Sequence, residues 1–330
     1  MDLLLLGGTK FLGKHIAETA LRRGHRVTLF HRGLTNPGLF PDAEHITGDR
    51  DGGLDALAGR RWDAVVDTSG YVPRVVRQSA RLLAERADHY TFISSVSVYA
   101  DFSVLDIAEG APLLSLEDPA EENVAAHYGA LKASCEEEVR SAFGERALVI
   151  RPGLIVGPDD PTDRFTYWPW RFAQGGDVLV PGSHGRGIQF IDVRDLAEWT
   201  LRMTEARAGG DYNATQPAGN VTMDDLVQAC RNVASVDSNP IWAEETFLHE
   251  HGAAEWTELP LWVSAKMNWP GFMAINVKRA VEAGLSFRPL SDTAMDTLVW
   301  CRRLRPEGEW KAGLDAEKER QLLRLLSSGK

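Results

Sequence analysis

The stretch Leu3-Leu4-Leu5-Leu6-Gly7-Gly8-Thr9-Lys10-Phe11-Leu12-Gly13 decides how this chain is read. Four consecutive leucines suit a parallel strand buried on both faces. Glycines follow at once, and the residues after them carry a helical pattern. Such a helix points its unpaired N–H groups and positive dipole end back at the turn, so the three pieces together make a cradle for phosphate. A dinucleotide pyrophosphate is the expected ligand. Gly7 permits the tight turn, Gly8 or its neighbour lets the backbone approach the ligand, and Gly13 lets the helix pack close to the strand. Thr9, Lys10, Phe11 and Leu12 complete the cofactor-binding turn, with Lys10 standing where a glycine is usual.

Outward from this stretch, strand and helix patterns alternate. Strands are predicted at Arg26 to Phe30, Glu44 to Thr47, Asp63 to Thr68, Tyr90 to Ser95 and Ala147 to Pro152, with helices near 14–23, 74–87 and 121–143. This is an α/β chain with a doubly wound parallel sheet. Ligands on such sheets bind beyond the carboxyl ends of the strands, which directs attention to Gly7, His31, Asp49, Ser69, Ser95 and Pro152 onward. After Arg151 the character changes, as Gly, Pro and aromatic residues crowd into Pro152 to Pro158 and Phe165 to Trp170. The predicted division is a dinucleotide-binding domain over 1–155, rejoined by about 188–215, and a smaller C-terminal substrate-binding lobe from 156–187 and 216–330. Short helices are expected near 222–234, 276–283 and 291–304, with Thr222 and Asp225 as a cap and Gly284 as a stop. The stretch 314–330 reads as an amphipathic surface helix.

Composition narrows the class. With 330 residues, 44% apolar and 25% charged, the chain has the make-up of an ordinary globular protein. Its net charge of -11 weighs against nucleic acid or a membrane surface as the main partner. Cys135, Cys230 and Cys301 show no paired spacing, so neither a disulfide framework nor a thiolate metal site is expected, and a reducing cytoplasm is the simple reading. The N-terminal apolar run is too short for a membrane helix and already serves as a strand.

Tyr128 and Lys132 lie four apart in a helical stretch, so both emerge on one face. A lysine beside a phenol is expected to lower the tyrosine pKa and suit it to proton transfer. Ser95, in Phe92-Ile93-Ser94-Ser95-Val96-Ser97-Val98-Tyr99, can donate a hydrogen bond to a substrate oxygen.

A glycine cradle, then this serine, then a Tyr/Lys pair on the next helix resembles the extended, epimerase/dehydratase-like branch of the short-chain dehydrogenase/reductase superfamily. Arg151-Pro152-Gly153-Leu154-Ile155-Val156-Gly157-Pro158, Gln189-Phe190-Ile191-Asp192-Val193-Arg194-Asp195 and Tyr212-Asn213-Ala214-Thr215 extend the resemblance over nearly the whole chain. It implies a Rossmann-type sheet, Ser95, Tyr128 and Lys132 as the catalytic set, and a cofactor site that also takes in Asp49, Arg50, Thr68, Ser69, Gly70, Pro152 and Leu154. The resemblance further implies that Tyr128 and Lys132 touch the nicotinamide end, and that the helices near 74–87 and 121–143 pair across a homodimer. Ser97, Tyr71, Phe165, Trp168, Arg186 and Trp262 are the candidate substrate contacts.

The departures from this family pattern are equally informative. NAD-preferring members tend to end the second strand on an acidic residue, whereas this strand ends Phe30-His31-Arg32. Arg32, with Lys10 nearby, suits a 2′-phosphate, so NADP is favoured over NAD. Leu154 stands where sugar-nucleotide epimerases usually have asparagine, and Ile188 where they have a diphosphate-binding arginine. Arg186, Arg164 and Arg171 remain as substitute cations. Val96-Ser97 lacks the acidic pair of sugar dehydratases. Aromatics at Tyr167, Trp168, Trp170, Trp242, Trp256, Trp262 and Trp269 suit a ring-bearing, largely uncharged substrate where they do not simply pack the core. Pro260 to Trp262 and Asn268 to Phe272 read as cleft rim.

The first expectation is an NADP(H)-dependent oxidoreductase acting on a carbonyl or secondary alcohol of a small substrate. The second is an NAD(P)-dependent epimerase of a sugar-like substrate. A third is a non-catalytic nucleotide- or RNA-binding protein, since the glycine motif with lysine and phenylalanine resembles that of chloroplast RNA-binding relatives.

Overall fold

The structure, a computed structural model, describes residues 1–305 and 308–328. Residues 329–330, the end of the amphipathic stretch, lie outside the described residues.

Among the described residues, eleven strands and ten α-helices follow in chain order: β1 (Asp2–Leu6), α1 (Phe11–Arg22), β2 (Arg26–His31), β3 (Glu44–Thr47), β4 (Trp62–Asp67), α2 (Pro73–Leu83), β5 (Ala87–Ile93), α3 (Val124–Phe143), β6 (Ala147–Pro152) and β7 (Leu154–Val156). Then come α4 (Tyr167–Phe172), β8 (Gly176–Pro181), β9 (Phe190–Asp192), α5 (Val193–Glu205), β10 (Gly210–Ala214), α6 (Met223–Val233), β11 (Ser238–Ala243), α7 (Glu245–Glu250), α8 (Lys278–Glu282), α9 (Leu290–Arg303) and α10 (Ala316–Ser328).

Seven strands form one parallel sheet in the order β10-β6-β5-β4-β1-β2-β3. Strand order reverses between β1 and β4, which opens the crevice at the carboxyl ends of those two strands where ligands of such sheets lie. The leucine run explains why β1 sits at the centre. Leu3, Leu4, Leu5 and Leu6 are all buried, Leu3 and Leu5 toward the layer of α1 and α5, Leu4 and Leu6 toward that of α2 and α3. A strand apolar on both faces is stable only with helices over both.

The C-terminal lobe has its own core around Val178, Leu179 and Val180 of β8 and Leu226, Val227 and Cys230 of α6, with β8 paired to β11. Thr222 caps α6 as expected: its hydroxyl accepts from Asp225 N at 3.2 Å, and the Asp225 carboxylate accepts from Thr222 N at 2.8 Å. Glu319 of α10 reaches inward to Arg171 and to Leu179 N, so this helix is fastened by a buried carboxylate as well as by Leu322.

Candidate active site

The glycine turn has the geometry of an anion cradle. Gly7 and Gly8 adopt φ of +111° and +94°, a region that favours glycine. A Cβ on Gly13 would lie 2.7 Å from Gly8 N and 2.9 Å from Thr68 Oγ1, so α1 approaches the turn as closely as it does only because that atom is missing. Lys10 occupies the position before α1 with no side-chain cap, leaving the first N–H groups of the helix open to a ligand. Thr68 and Ser69 close the other wall, each donating its hydroxyl to Leu6 O, at 3.2 and 3.0 Å. These features fit a dinucleotide pyrophosphate.

The end of β2 is fixed by a chain of histidines. Gly33 N donates to His31 Nδ1 at 3.0 Å, which assigns His31 Nε2 as donor to His45 Nδ1 at 2.8 Å, and His45 Nε2 in turn to Phe40 O at 3.2 Å. Burial and His45 both lower the His31 pKa, in keeping with a neutral ring. Asn36 ties the following loop to Thr9 O at 3.0 Å. Arg32 stands exposed on this loop, and among the described residues its guanidinium has no ion-pair partner. Asp49 is exposed, accepting from Asp51 N. Arg50 turns inward instead: it pairs with Asp67 through two 2.8 Å contacts and reaches Ser69 and Ser79, so its charge is already neutralised.

Beyond β5 the chain turns sharply. The strand ends at Ile93, and Ser95 caps the next turn by accepting from Ser97 N at 3.1 Å, with the two hydroxyls also 3.1 Å apart. Helix α3 begins at Asn123, which caps Ala126 N, and is broken at His127 (φ -126°, ψ 30°) immediately before Tyr128. Gly129 lies against the serine turn so tightly that a Cβ would fall 2.1 Å from Ser97 O. This contact holds Tyr128 beside Ser95. Gly129 was not singled out from the sequence, because only the fold shows what it touches.

Tyr128, Lys132, Glu136 and Arg140 form one stripe along α3. Tyr71 leans over the first of them, its ring 6.5 Å from that of Tyr128. Lys132 is buried and donates to Gly70 O at 2.8 Å and Ile93 O at 2.5 Å, with Nζ 4.4 Å from the Phe92 ring centre and 5.2 Å from that of Tyr71. Burial lowers its pKa to about 8. The expectation that Lys132 lowers the tyrosine pKa is not met. Burial pushes Tyr128 up to about 12, Tyr71 adds to the rise, and the Ser95 hydroxyl and the Arg164 charge act against it. The lysine charge is drawn into the carbonyls of Gly70 and Ile93 instead of toward the phenol.

A buried network holds this stripe in place. Arg151 of β6 grips Glu136 at 2.9 and 2.7 Å and also donates to Tyr99 Oη and Glu109 O. Tyr99 donates to Asn213 Oδ1 at 2.6 Å, linking α3, β6 and β10.

Of the expected substrate contacts, Ser97 and Tyr71 lie with Ser95 and Tyr128, while three aromatics do not. Phe165, Trp168 and Trp262 have no exposed surface and pack in the C-terminal core, with indole N–H donors at 3.1 Å from Pro260 O for Trp168 and from Glu245 for Trp262. Arg186 is paired with Glu245 and Val263 O. The residues that do line a cavity beside the serine turn are Val96, Gly153, Leu154, Thr215, Trp256, Phe272 and Met273. This cavity is narrow, about 10 Å³, and Met273 separates it from a larger one of about 300 Å³ walled by Arg186, Leu261 and Trp269. The stretch 268–272 is therefore cleft rim, as expected, and Trp262 is core.

Fold and site together give an α/β chain whose glycine turn fits a dinucleotide, with a serine, a tyrosine and a lysine gathered at the edge of that cradle. Residues 60–215 match the model of the NAD dependent epimerase/dehydratase family, the family whose extended branch the sequence resembles. Among curated proteins it is similar to the chloroplast stem-loop binding protein of 41 kDa b from Arabidopsis thaliana, 28% identical over 250 residues that cover 69% of this chain and 62% of that protein. Its fold is similar to that of the Bordetella bronchiseptica enzyme WbmH in complex with NAD+ (TM-score 0.68, 18% identity, covering 92% of this chain and 99% of that one). It is also similar to that of the human epimerase family protein SDR39U1 with NADPH (TM-score 0.60, 18% identity, covering 91% and 99%). Among the described residues, no helix is long and apolar enough to cross a membrane.

Proposed function

We propose that the protein is an NADP(H)-dependent oxidoreductase that reduces a carbonyl, or oxidises the corresponding secondary alcohol, of a small ring-bearing substrate. The observation that carries this reading is the convergence of Ser95, Tyr128 and Lys132 on the carboxyl edge of the sheet, next to an open glycine cradle. A nicotinamide bound there supplies or accepts the hydride. Ser95 orients the substrate oxygen. Tyr128, with a pKa pushed up to about 12, keeps its proton through the neutral range and is ready to give it to a reduced carbonyl oxygen. Lys132 holds the carbonyls of Gly70 and Ile93, and so the wall facing the cofactor.

Arg32 supports NADP over NAD, because an exposed, unpaired guanidinium suits the 2′-phosphate. Calorimetry should show NADPH binding at least about tenfold tighter than NADH, a gap that Arg32→Ala narrows to a few-fold. Equal affinities in the parent protein would remove the preference. The enzyme reading is separated from its runner-up by cofactor turnover: a reductase consumes NADPH in proportion to product, whereas an epimerase returns the hydride and consumes none. Leu154 and the fully buried Ile188 offer no contact to a diphosphate, which favours substrates other than nucleoside-diphosphate sugars. The net charge of -11 weighs against RNA as the ligand, despite the name of the chloroplast relative.

A further inference from the structure

Of the three arginines that the sequence offers as substitute cations, two are already engaged. Arg186 is paired with Glu245, and Arg171 with Glu319. Arg164 differs. It is half-buried, and among the described residues its guanidinium has neither a hydrogen bond nor an ion pair. Its Cζ lies 5.2 Å from the ring centre of Trp256, and its charge acts on Tyr128. That indole is a wall of the narrow cavity that also touches Val96, Gly153 and Leu154, next to the serine turn. Asp163, next to Arg164 in the chain, is paired with Arg305, and Asp160 acts on the guanidinium through its charge without an ion pair or hydrogen bond to it. Its Oδ1 accepts from Thr162 N and Oγ1, each at 2.8 Å, its Oδ2 has no partner, and no ion pair joins it to Arg164.

A partly desolvated cation without an anion is costly unless a ligand supplies one. Arg50, Arg151 and Arg194, half-buried or more, each have a carboxylate within 3 Å. From this contrast we infer that Arg164 is a specificity residue which pairs with a carboxylate on the substrate, its guanidinium set over the Trp256 ring. The inference rests on the oxidoreductase reading and sharpens it. The substrate is a carbonyl compound, or its alcohol, that also carries one carboxylate, with the carbonyl at Ser95 and Tyr128 and the acid at Arg164. One cation facing the buried Asp160 suits a single negative charge better than a phosphate dianion or a diphosphate. A planar guanidinium offers a carboxylate two parallel hydrogen bonds.

The test is a pair of calorimetric titrations of the intact protein with 4-acetylbenzoate and with its neutral counterpart 4-acetylbenzamide, each with and without NADPH present. The acid should bind at least about tenfold more tightly than the amide, as expected for one charge-assisted pair. Arg164→Gln should abolish that difference, and Arg164→Lys should restore part of it. Affinities within twofold of one another in the parent protein, no detectable binding of either probe, or a preference for the acid that survives in Arg164→Gln would each overturn the assignment. The parent comparison needs no variant, so it stands even where a substitution impairs folding. Failure of the wider reading shows separately, as an absence of NADPH binding, because the two probes are also titrated without the cofactor.

Discussion

Replacing Tyr128 by phenylalanine is expected to lower turnover by about a thousandfold while leaving NADPH affinity within about twofold of the parent value. The substitution removes one hydroxyl and keeps the ring that packs against Tyr71. The loss should fall on kcat, because the phenol acts when the substrate oxygen takes up or releases a proton. A pKa pushed up to about 12 adds a pH signature. Carbonyl reduction should not lose rate across the neutral range, since the proton donor stays protonated, whereas oxidation of the alcohol should quicken as pH rises toward that value. Rates and cofactor fluorescence measured on the same preparations check both points. Near-parental turnover in the phenylalanine variant would remove Tyr128 from the chemistry.

The second large effect is expected in the network beneath α3. Arg151→Met should cost about 3–5 kcal/mol of stability in urea unfolding, because it leaves the buried Glu136 carboxylate without its main partner and strips Glu109 O of a donor. Arg140, which also donates to Glu136 Oε2 at 2.8 Å, softens the loss without replacing the two bonds from Arg151. Adding Glu136→Met to Arg151→Met should recover much of the stability, since a well-packed apolar pair does not carry the desolvation cost of the ions. Additive losses in the double variant would show that packing, not uncompensated charge, dominates at this position. Turnover should fall in the single variant, because Glu136 lies one helical turn beyond Lys132 and its docking against β6 sets where the stripe stands.

How much of this was legible in the sequence depended on whether the signal was local. The leucine run, the glycine turn and the Tyr128/Lys132 spacing are neighbours in the chain, and each reads directly as a buried strand, a cradle and a helix face. Thr222 and Asp225 are local too, and they form the cap their spacing suggests. Non-local partners were another matter. Nothing in the spacing of Tyr128 and Lys132 reveals that the ammonium is drawn toward Gly70 O and Ile93 O, or that the phenol is buried, and burial, with Tyr71, turned the expected lowering of the tyrosine pKa into a rise. The aromatic run around Trp168 could equally have walled a pocket or filled a core, and the choice was made by α6, α9 and β8 packing over it. Arg164, Arg171 and Arg186 looked alike as candidate anion contacts until Glu319 and Glu245 were found against two of them.

The central claim is that the glycine turn and the open end of α1 hold a dinucleotide next to Ser95 and Tyr128. It is tested most directly by titrating the protein with NADPH in a calorimeter, alongside a Gly13→Ala variant whose far-UV circular dichroism matches the parent. The account predicts one NADPH bound per chain, with affinity at least about tenfold weaker in the variant, because the added Cβ sits 2.7 Å from Gly8 N and forces α1 away from the turn. Absence of binding of both NADPH and NADH to the parent protein, or undiminished NADPH affinity in the variant, would contradict it.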